Sequence, residues 1–170
     1  PLLAQPLWEH SLAAAYAVRH LCEALRFRHR HLAFATALLH DAGCRAVRLT
    51  LAAAAKPEQA LPVPILRQLC ARLHEEAGLL VAQRWGLPDS VAQVMGNHHG
   101  EIAADDRLAG LKALTQMADQ CAVRCGHGEE EKPIGDVLLH CPAAKRLGIH
   151  EQNAEQVLSA IPSLMLRAST

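Results

Sequence analysis

Alanine and leucine dominate this chain, and no other feature limits its fold as strongly. The chain has 31 alanines and 27 leucines, against 18 residues of valine, isoleucine and threonine together. Alanine and unbranched side chains lose little rotamer freedom in a helix, whereas strands favour β-branched and aromatic residues. Aromatic residues make up only 3% of the chain. The sequence therefore predicts an all-α protein with a core of alanine and leucine.

Apolar residues at helical spacing, interrupted by glycine, proline and polar segments, predict where the helices lie. The predicted helical segments are about 7–25, 32–40, 45–55, a region that follows a turn at 61–66 and ends at 85–86, a segment from about 88 to 97–100, 106–124 and 151–166. Gly43 is expected at a left-handed position that ends the second helix, and residues 126–135 are expected to form a polar loop. Because the loops are short and 170 residues suit about one domain, we expect residues 1–170 to form a single helical bundle.

Charge and cysteine usage exclude several classes of protein. The chain has 17 basic and 17 acidic residues, so it lacks the positive surplus of a non-specific nucleic-acid binder or a polybasic membrane anchor. Its apolar runs fall short of the roughly 18 residues that a membrane span needs, and its start does not resemble a signal peptide. The six scattered cysteines form no Cys-x-x-Cys pair, which indicates reduced thiols. We therefore expect a cytoplasmic protein without nucleic-acid or membrane partners.

Histidine is unusually frequent, with 11 copies, and several copies lie beside acidic residues or on apolar helix faces. A histidine on an apolar face is usually a satisfied core residue, and a histidine at a helix end interacts well with the helix dipole. Asp41 is unfavourable at a helix C-terminus, however, and Asp119 is costly at the border of an apolar face unless it is paired. The candidate metal ligands, in chain order, are His10, His40, Asp41, His74, His98, His99 and Asp119.

These candidates come from different helices or helix ends, and helical bundles usually gather metal ligands in their core. Imidazole nitrogen together with carboxylate oxygen suits iron, manganese, zinc or nickel. A carboxylate beside a histidine can bridge two ions, and two ions about 4 Å apart can activate a water molecule and bind a phosphoryl oxygen. The spacing predicts a site for one or two divalent ions.

The same series resembles a known family. The matching stretches are LWEHS (7–11), ALLHDAG (37–43), HEEAGLLVAQRWGLP (74–88), VMGNHH (94–99) and ALTQMADQ (113–120). The order His, His-Asp, His, His-His, Asp is similar to that of the HD superfamily, and most similar to its HDOD branch, the HD-related output domain of bacterial signalling proteins. The segment 147–161 also resembles the helix that closes these domains.

The resemblance implies an all-helical fold and two groups of metal ligands. Magnesium is then a further candidate among the ions that such sites take. By matching position, one group comprises His10, His40, Asp41 and Asp119. The other comprises Asp41, His74 and His98, with His99 beside them. Catalytic HD enzymes use such sites to hydrolyse phosphoesters, whereas HDOD proteins are mostly regulatory and binding modules.

Several positions depart from the family pattern. Many HD hydrolases carry lysine three residues after the motif aspartate, but here Cys44 stands there, with Arg45 beside it. The Gly-Tyr-Pro that follows the His-His pair in one class of cyclic dinucleotide phosphodiesterases is missing. The acid of three-metal members would fall at Pro6, and no acid lies between residues 59 and 74. HDOD domains normally have a further helical subdomain before this start, so we expect a fragment or a variant lacking that half.

Three functional hypotheses follow. The first is a bacterial regulatory domain with a metal site, which docks a protein partner in a signalling pathway or senses a phosphate-containing small molecule. The second is a metal-dependent phosphohydrolase in which Asp41 and Arg45 are catalytic, and in which Arg45 or a basic side chain of residues 26–31 holds phosphate. The third is a vestigial, metal-free cluster whose histidines only hydrogen-bond one another.

Overall fold

The described part of the chain consists of helices joined by turns. In a computed structural model this part comprises residues 4–54, 61–128, 139 and 141–168, and none of these residues lies in a strand. The helices are α1 (Ala4–Ala24), α2 (Arg30–Leu39), α3 (Ala42–Ala54), α4 (Val63–Arg84), α5 (Asp89–Met95), α6 (Ala109–Arg124), α7 (Pro142–Leu147) and α8 (Glu151–Ala168). The predicted all-α fold is confirmed. The polar loop predicted over 126–135 lies mostly outside the described residues.

The chain divides into two compact units, which we describe separately. The first unit comprises Pro1–Leu38 and His99–Thr170, and the second comprises Leu39–His98. The prediction that the whole chain forms one domain stays a prediction. None of the described helices combines the length and the apolar character that crossing a membrane requires.

In the first unit, α1 packs against α6, and α7 and α8 pack on this pair. Ala14 and Ala17 of α1 are fully buried, as are Leu114 and Ala118 of α6. Alanine at the contact allows two helix backbones to approach closely, and leucine fills the remaining space. The abundance of these two residue types is therefore explained by helix packing.

In the second unit, α3 crosses α4 with the two backbones in direct contact. A Cβ atom on Gly43 would collide with the carbonyl oxygen of His74 and lie 2.5 Å from the amide nitrogen of Gly78. The prediction that Gly43 ends a helix in a left-handed conformation is wrong: it is buried within α3, and its φ is not positive. Glycine is required there because any side chain would separate the two helices.

Candidate metal centre

Asp41, His74 and His98 of the second unit converge from three different elements. Asp41 lies in the two-residue turn between α2 and α3, His74 in the middle of α4, and His98 in the turn that follows α5. The contact at Gly43 holds the start of α3, and with it Asp41, against the turn of α4 that carries His74. Both imidazoles are buried, with 6% of His74 and 0% of His98 exposed.

The distances between these three side chains suit a metal ion better than direct hydrogen bonds. Asp41 Oδ1 lies 3.5 Å from Nε2 of His98 and 3.8 Å from Nε2 of His74, beyond the about 2.7–3.2 Å of a good hydrogen bond. One ligand atom from each residue lies within 4.8 Å of the other two. Ligands about 2.1 Å from a zinc-sized ion lie about 3.0–3.4 Å apart. A small contraction would therefore place all three around one ion.

Backbone carbonyl groups fix the orientation of both rings. Nδ1 of His74 lies 3.0 Å from the carbonyl oxygen of Cys70, and Nδ1 of His98 lies 3.2 Å from that of Met95. Because a carbonyl oxygen only accepts, we assign the proton of each neutral ring to Nδ1. Nε2 then directs its lone pair at the Asp41 carboxylate, an arrangement that a proton or a metal ion between them would stabilise. Histidines that bind metals commonly have this hydrogen bond on the other nitrogen.

His40 and Glu75 complete the surroundings of His98. Nε2 of His40 lies 3.6 Å from Asp41 Oδ2, and the His40 ring meets the His98 ring edge-on with 5.0 Å between centroids. Glu75 Oε1 lies 3.7 Å from Nδ1 of His98. Burial lowers the pKa of His98, but Asp41 and Glu75 outweigh it, so the pKa lies above its ordinary value. The second unit therefore favours positive charge at His98, which a proton or a metal ion can supply.

The first unit holds a second pair of predicted ligands with the same geometry. Nε2 of His10 in α1 lies 3.1 Å from Asp119 Oδ1 in α6, and its Nδ1 lies 2.7 Å from the carbonyl oxygen of His127. Both ring nitrogens thus face acceptors, although a neutral imidazole has only one N–H to donate. Both nitrogens of His10 have suitable partners when the ring is protonated, or when a cation lies between Nε2 and the carboxylate.

Within the second unit the structure brings together His40, Asp41, His74 and His98, and within the first unit it brings together His10 and Asp119. His99 belongs to the first unit, where it is exposed and lines a cavity of about 260 Å³ with Glu101, Gln116, Asp119 and Gln120. Arg45 is exposed on the first turn of α3 and makes no hydrogen bond or ion pair with any described residue. Its predicted role in holding phosphate stays a prediction.

Two contributions to these groups were not predicted. Glu75 follows His74 directly in α4, so the sequence placed it next to a candidate ligand, but only the fold shows that it faces His98. The carbonyl group of His127 gives no sequence signal, because every residue has a backbone carbonyl.

Asp41 also directly precedes α3, where the positive end of the helix dipole favours a carboxylate. Part of its stabilisation therefore needs no ion.

Comparisons with known proteins agree with this architecture. The family model of the HDOD domain matches residues 1–101. The crystal structure of an HDOD domain protein with unknown function from Geobacter sulfurreducens is similar over 95% of this chain, with a TM-score of 0.63 and 24% sequence identity. This chain spans 59% of the length of that protein. No match is found among curated proteins. The family resemblance is confirmed, and the chain belongs to the HDOD domain family.

Proposed function

We propose that this chain is the regulatory domain of a signalling protein and binds a divalent metal ion through Asp41, His74 and His98. One observation carries the proposal. Both rings have Nδ1 beside a backbone carbonyl and Nε2 facing the same carboxylate. A single cation placed between the two Nε2 atoms and the carboxylate satisfies all three groups at once.

The donor set narrows the choice of ion. Two imidazole nitrogens and a carboxylate oxygen suit iron, manganese, zinc or nickel better than magnesium, which prefers oxygen ligands. His40 lies close enough to Asp41 to support the carboxylate or to act as a further ligand. In the first unit, His10 and Asp119 offer one nitrogen and one oxygen, and we propose that they ligate an ion as well.

Three features favour regulation over turnover. Cys44 replaces the lysine that many HD hydrolases carry, and a thiol does not supply positive charge to a phosphate. Arg45 forms no hydrogen bond or ion pair with a described residue that would orient it. The cavity beside Asp119 has neither lysine nor arginine among its lining residues. We propose that the domain acts in the cytoplasm by docking a protein partner.

Metal analysis tests the metal site directly. Protein purified without a histidine tag is expected to contain close to one or two divalent ions per chain, measured by plasma mass spectrometry. Asp41→Asn preserves the shape of the side chain and removes its charge, so we expect the ion of the second unit to be lost while the helical circular dichroism is retained. His150→Ala, at an exposed position outside both groups, should keep its ions. Fewer than about one ion per five chains in the wild type would overturn the proposal.

A second candidate function is metal-dependent phosphoester hydrolysis. The cavity that Asp119 and His99 line would give a small substrate room beside these side chains, although none of its described lining residues is lysine or arginine. A bound divalent ion supplies Lewis acidity toward a phosphoryl oxygen. The chain would contribute Asp41 and the histidines to hold the ion and Arg45 to bind phosphate. Turnover of a generic phosphodiester with Mn²⁺, lost in Asp41→Asn and weakened in Arg45→Gln, would establish this activity. Metal-loaded protein without turnover would support the regulatory function instead.

A further inference from the structure

Three arginines lie between the end of α1 and the first residue of α2. We call residues 26–31 (RFRHRH) the arginine turn. Arg26, Arg28 and Arg30 are exposed, and none forms an ion pair or a side-chain hydrogen bond with a described residue. From residue 19 to residue 31 the only acidic side chain is Glu23. The arginine turn is therefore a local concentration of positive charge in a chain whose net charge is zero.

The backbone of Arg26 departs from what its residue type favours. Arg26 has a φ of +51°, and the other described residues with positive φ are three glycines, Gly86, Gly126 and Gly148. All four occupy the same position in the same motif, which closes a helix with a pair of backbone hydrogen bonds. At Arg26 its own amide bonds the carbonyl oxygen of Glu23 and the next amide bonds that of Cys22. The three glycine turns repeat this pairing.

Arg26 is unusual in its residue type among the left-handed residues of this chain. A left-handed residue after a helix is normally glycine, since a Cβ atom is crowded there. Three helices of this protein follow the rule, and α1 does not. The helix end would form more favourably with glycine, so the folded backbone gives no reason for an arginine. What arginine adds at this position, and glycine would lack, is an exposed guanidinium group.

The side chains of the arginine turn favour one class of anionic partner over the others. Single-stranded nucleic acids need exposed aromatic rings for stacking, and interfacial membrane binding needs apolar side chains on the surface. The one phenyl ring of the turn, Phe27, is half-buried and lies against α6 at Gly110, and the other rings of the turn are the imidazoles of His29 and His31. Arginine's planar fork matches a carboxylate with two parallel hydrogen bonds. A carboxylate-rich peptide fits these features best.

We infer that the arginine turn is a docking surface for an acidic segment of a partner protein, with Arg26, Arg28 and Arg30 binding its carboxylates. The surface lies outside the candidate metal ligands, so it does not depend on a bound ion. Peptide binding is expected to be the same before and after treatment with a chelator, which separates this inference from the metal proposal.

Binding of a short fluorescent glutamate-rich peptide, measured by anisotropy, tests the inference. The triple variant Arg26→Gln, Arg28→Gln, Arg30→Gln is expected to weaken binding by roughly tenfold or more, and salt should weaken wild-type binding. The matched control changes three exposed arginines of α4, at positions 67, 72 and 84, to glutamine and should bind as the wild type does. Equal losses in both triple variants would reduce the effect to net charge and overturn the inference.

Arg26→Gly gives a second, sharper test. It removes one guanidinium while relieving the left-handed backbone, so the variant should unfold at a higher urea concentration and yet bind the peptide about two- to fivefold more weakly. Unchanged peptide binding in this variant would overturn the role of Arg26. No measurable binding of the peptide by the wild type, or tighter binding of an RNA oligonucleotide or of phosphatidylserine vesicles, would overturn the docking surface itself.

Discussion

Gly43→Ala is the smallest change that should disturb both the fold of the second unit and its candidate metal ligands. The added Cβ atom would collide with the carbonyl oxygen of His74 and approach the amide nitrogen of Gly78 to 2.5 Å. Both atoms belong to the α4 backbone and cannot rotate away, so α3 and α4 must separate. Overpacking of this kind costs about 1–3 kcal/mol, and the better helix propensity of alanine offsets up to about 1 kcal/mol. We expect a net loss of about 1–2 kcal/mol in the free energy of unfolding.

The same displacement should weaken metal binding. Asp41 lies two residues before Gly43, and His74 carries the carbonyl group that the new methyl group would strike. Moving α3 from α4 therefore lengthens the distance between Asp41 and His74, now 3.8 Å. Disturbing the groups that hold metal ligands in place typically lowers the affinity for the metal by about 10–100-fold. We expect a loss in that range.

Urea unfolding followed by far-ultraviolet circular dichroism measures the stability, and titration with Co²⁺ or Zn²⁺ measures the affinity. Gly110→Ala is the matched control, because it also adds a methyl group inside a helix but meets only the edge of the Phe27 ring, at 3.3 Å. That ring is half-buried and can shift, so the control should keep or gain stability. A Gly43→Ala variant with wild-type stability and wild-type affinity would refute the argument that this backbone contact positions the ligands.

Three further outcomes are expected. Arg26→Gly should raise the free energy of unfolding by about 1 kcal/mol in urea titrations, because it removes a Cβ atom from a left-handed residue. Without metal, the stability that His98 contributes to the fold is present below its ordinary pKa of 6.5. This stability is lost as pH rises through the higher pKa that His98 has in the folded protein. Metal affinity, titrated over the same pH range, should instead rise with pH. Burial raises the pKa of Cys22 to about 11 and that of Cys121 to about 12, so mass spectrometry should show iodoacetamide modifying both only after unfolding.

The sequence was most informative where the signal is local. Helix formation depends on rotamer freedom and on apolar spacing within one segment, so the alanine and leucine content sufficed to predict the all-α fold. Gly43 shows the limit of prediction from local sequence. A glycine after His40-Asp41 has the local signature of a helix end, yet its actual role is a close contact with α4, more than thirty residues away in sequence. No local rule distinguishes these two uses of glycine.

For the candidate site, the sequence predicted which residues, but not what surrounds them. Asp41, His74 and His98 were identified by residue type and order, and the structure brings them together. The carbonyl groups that orient the rings belong to Cys70 and Met95. Backbone carbonyls carry no sequence signal of their own, so these contacts become visible only in three dimensions.

Those carbonyl groups also support the proposal that the two histidines are ligands rather than satisfied core residues. A core histidine needs one donor partner and one acceptor partner, but His74 and His98 each face acceptors from both nitrogens. Protonating both rings would let every ring nitrogen donate, at the cost of two positive charges on buried rings whose centroids are 5.1 Å apart. A single divalent ion avoids that repulsion, since both rings stay neutral and share one cation with Asp41. The arrangement of acceptors therefore favours a metal ion over two protons at this position.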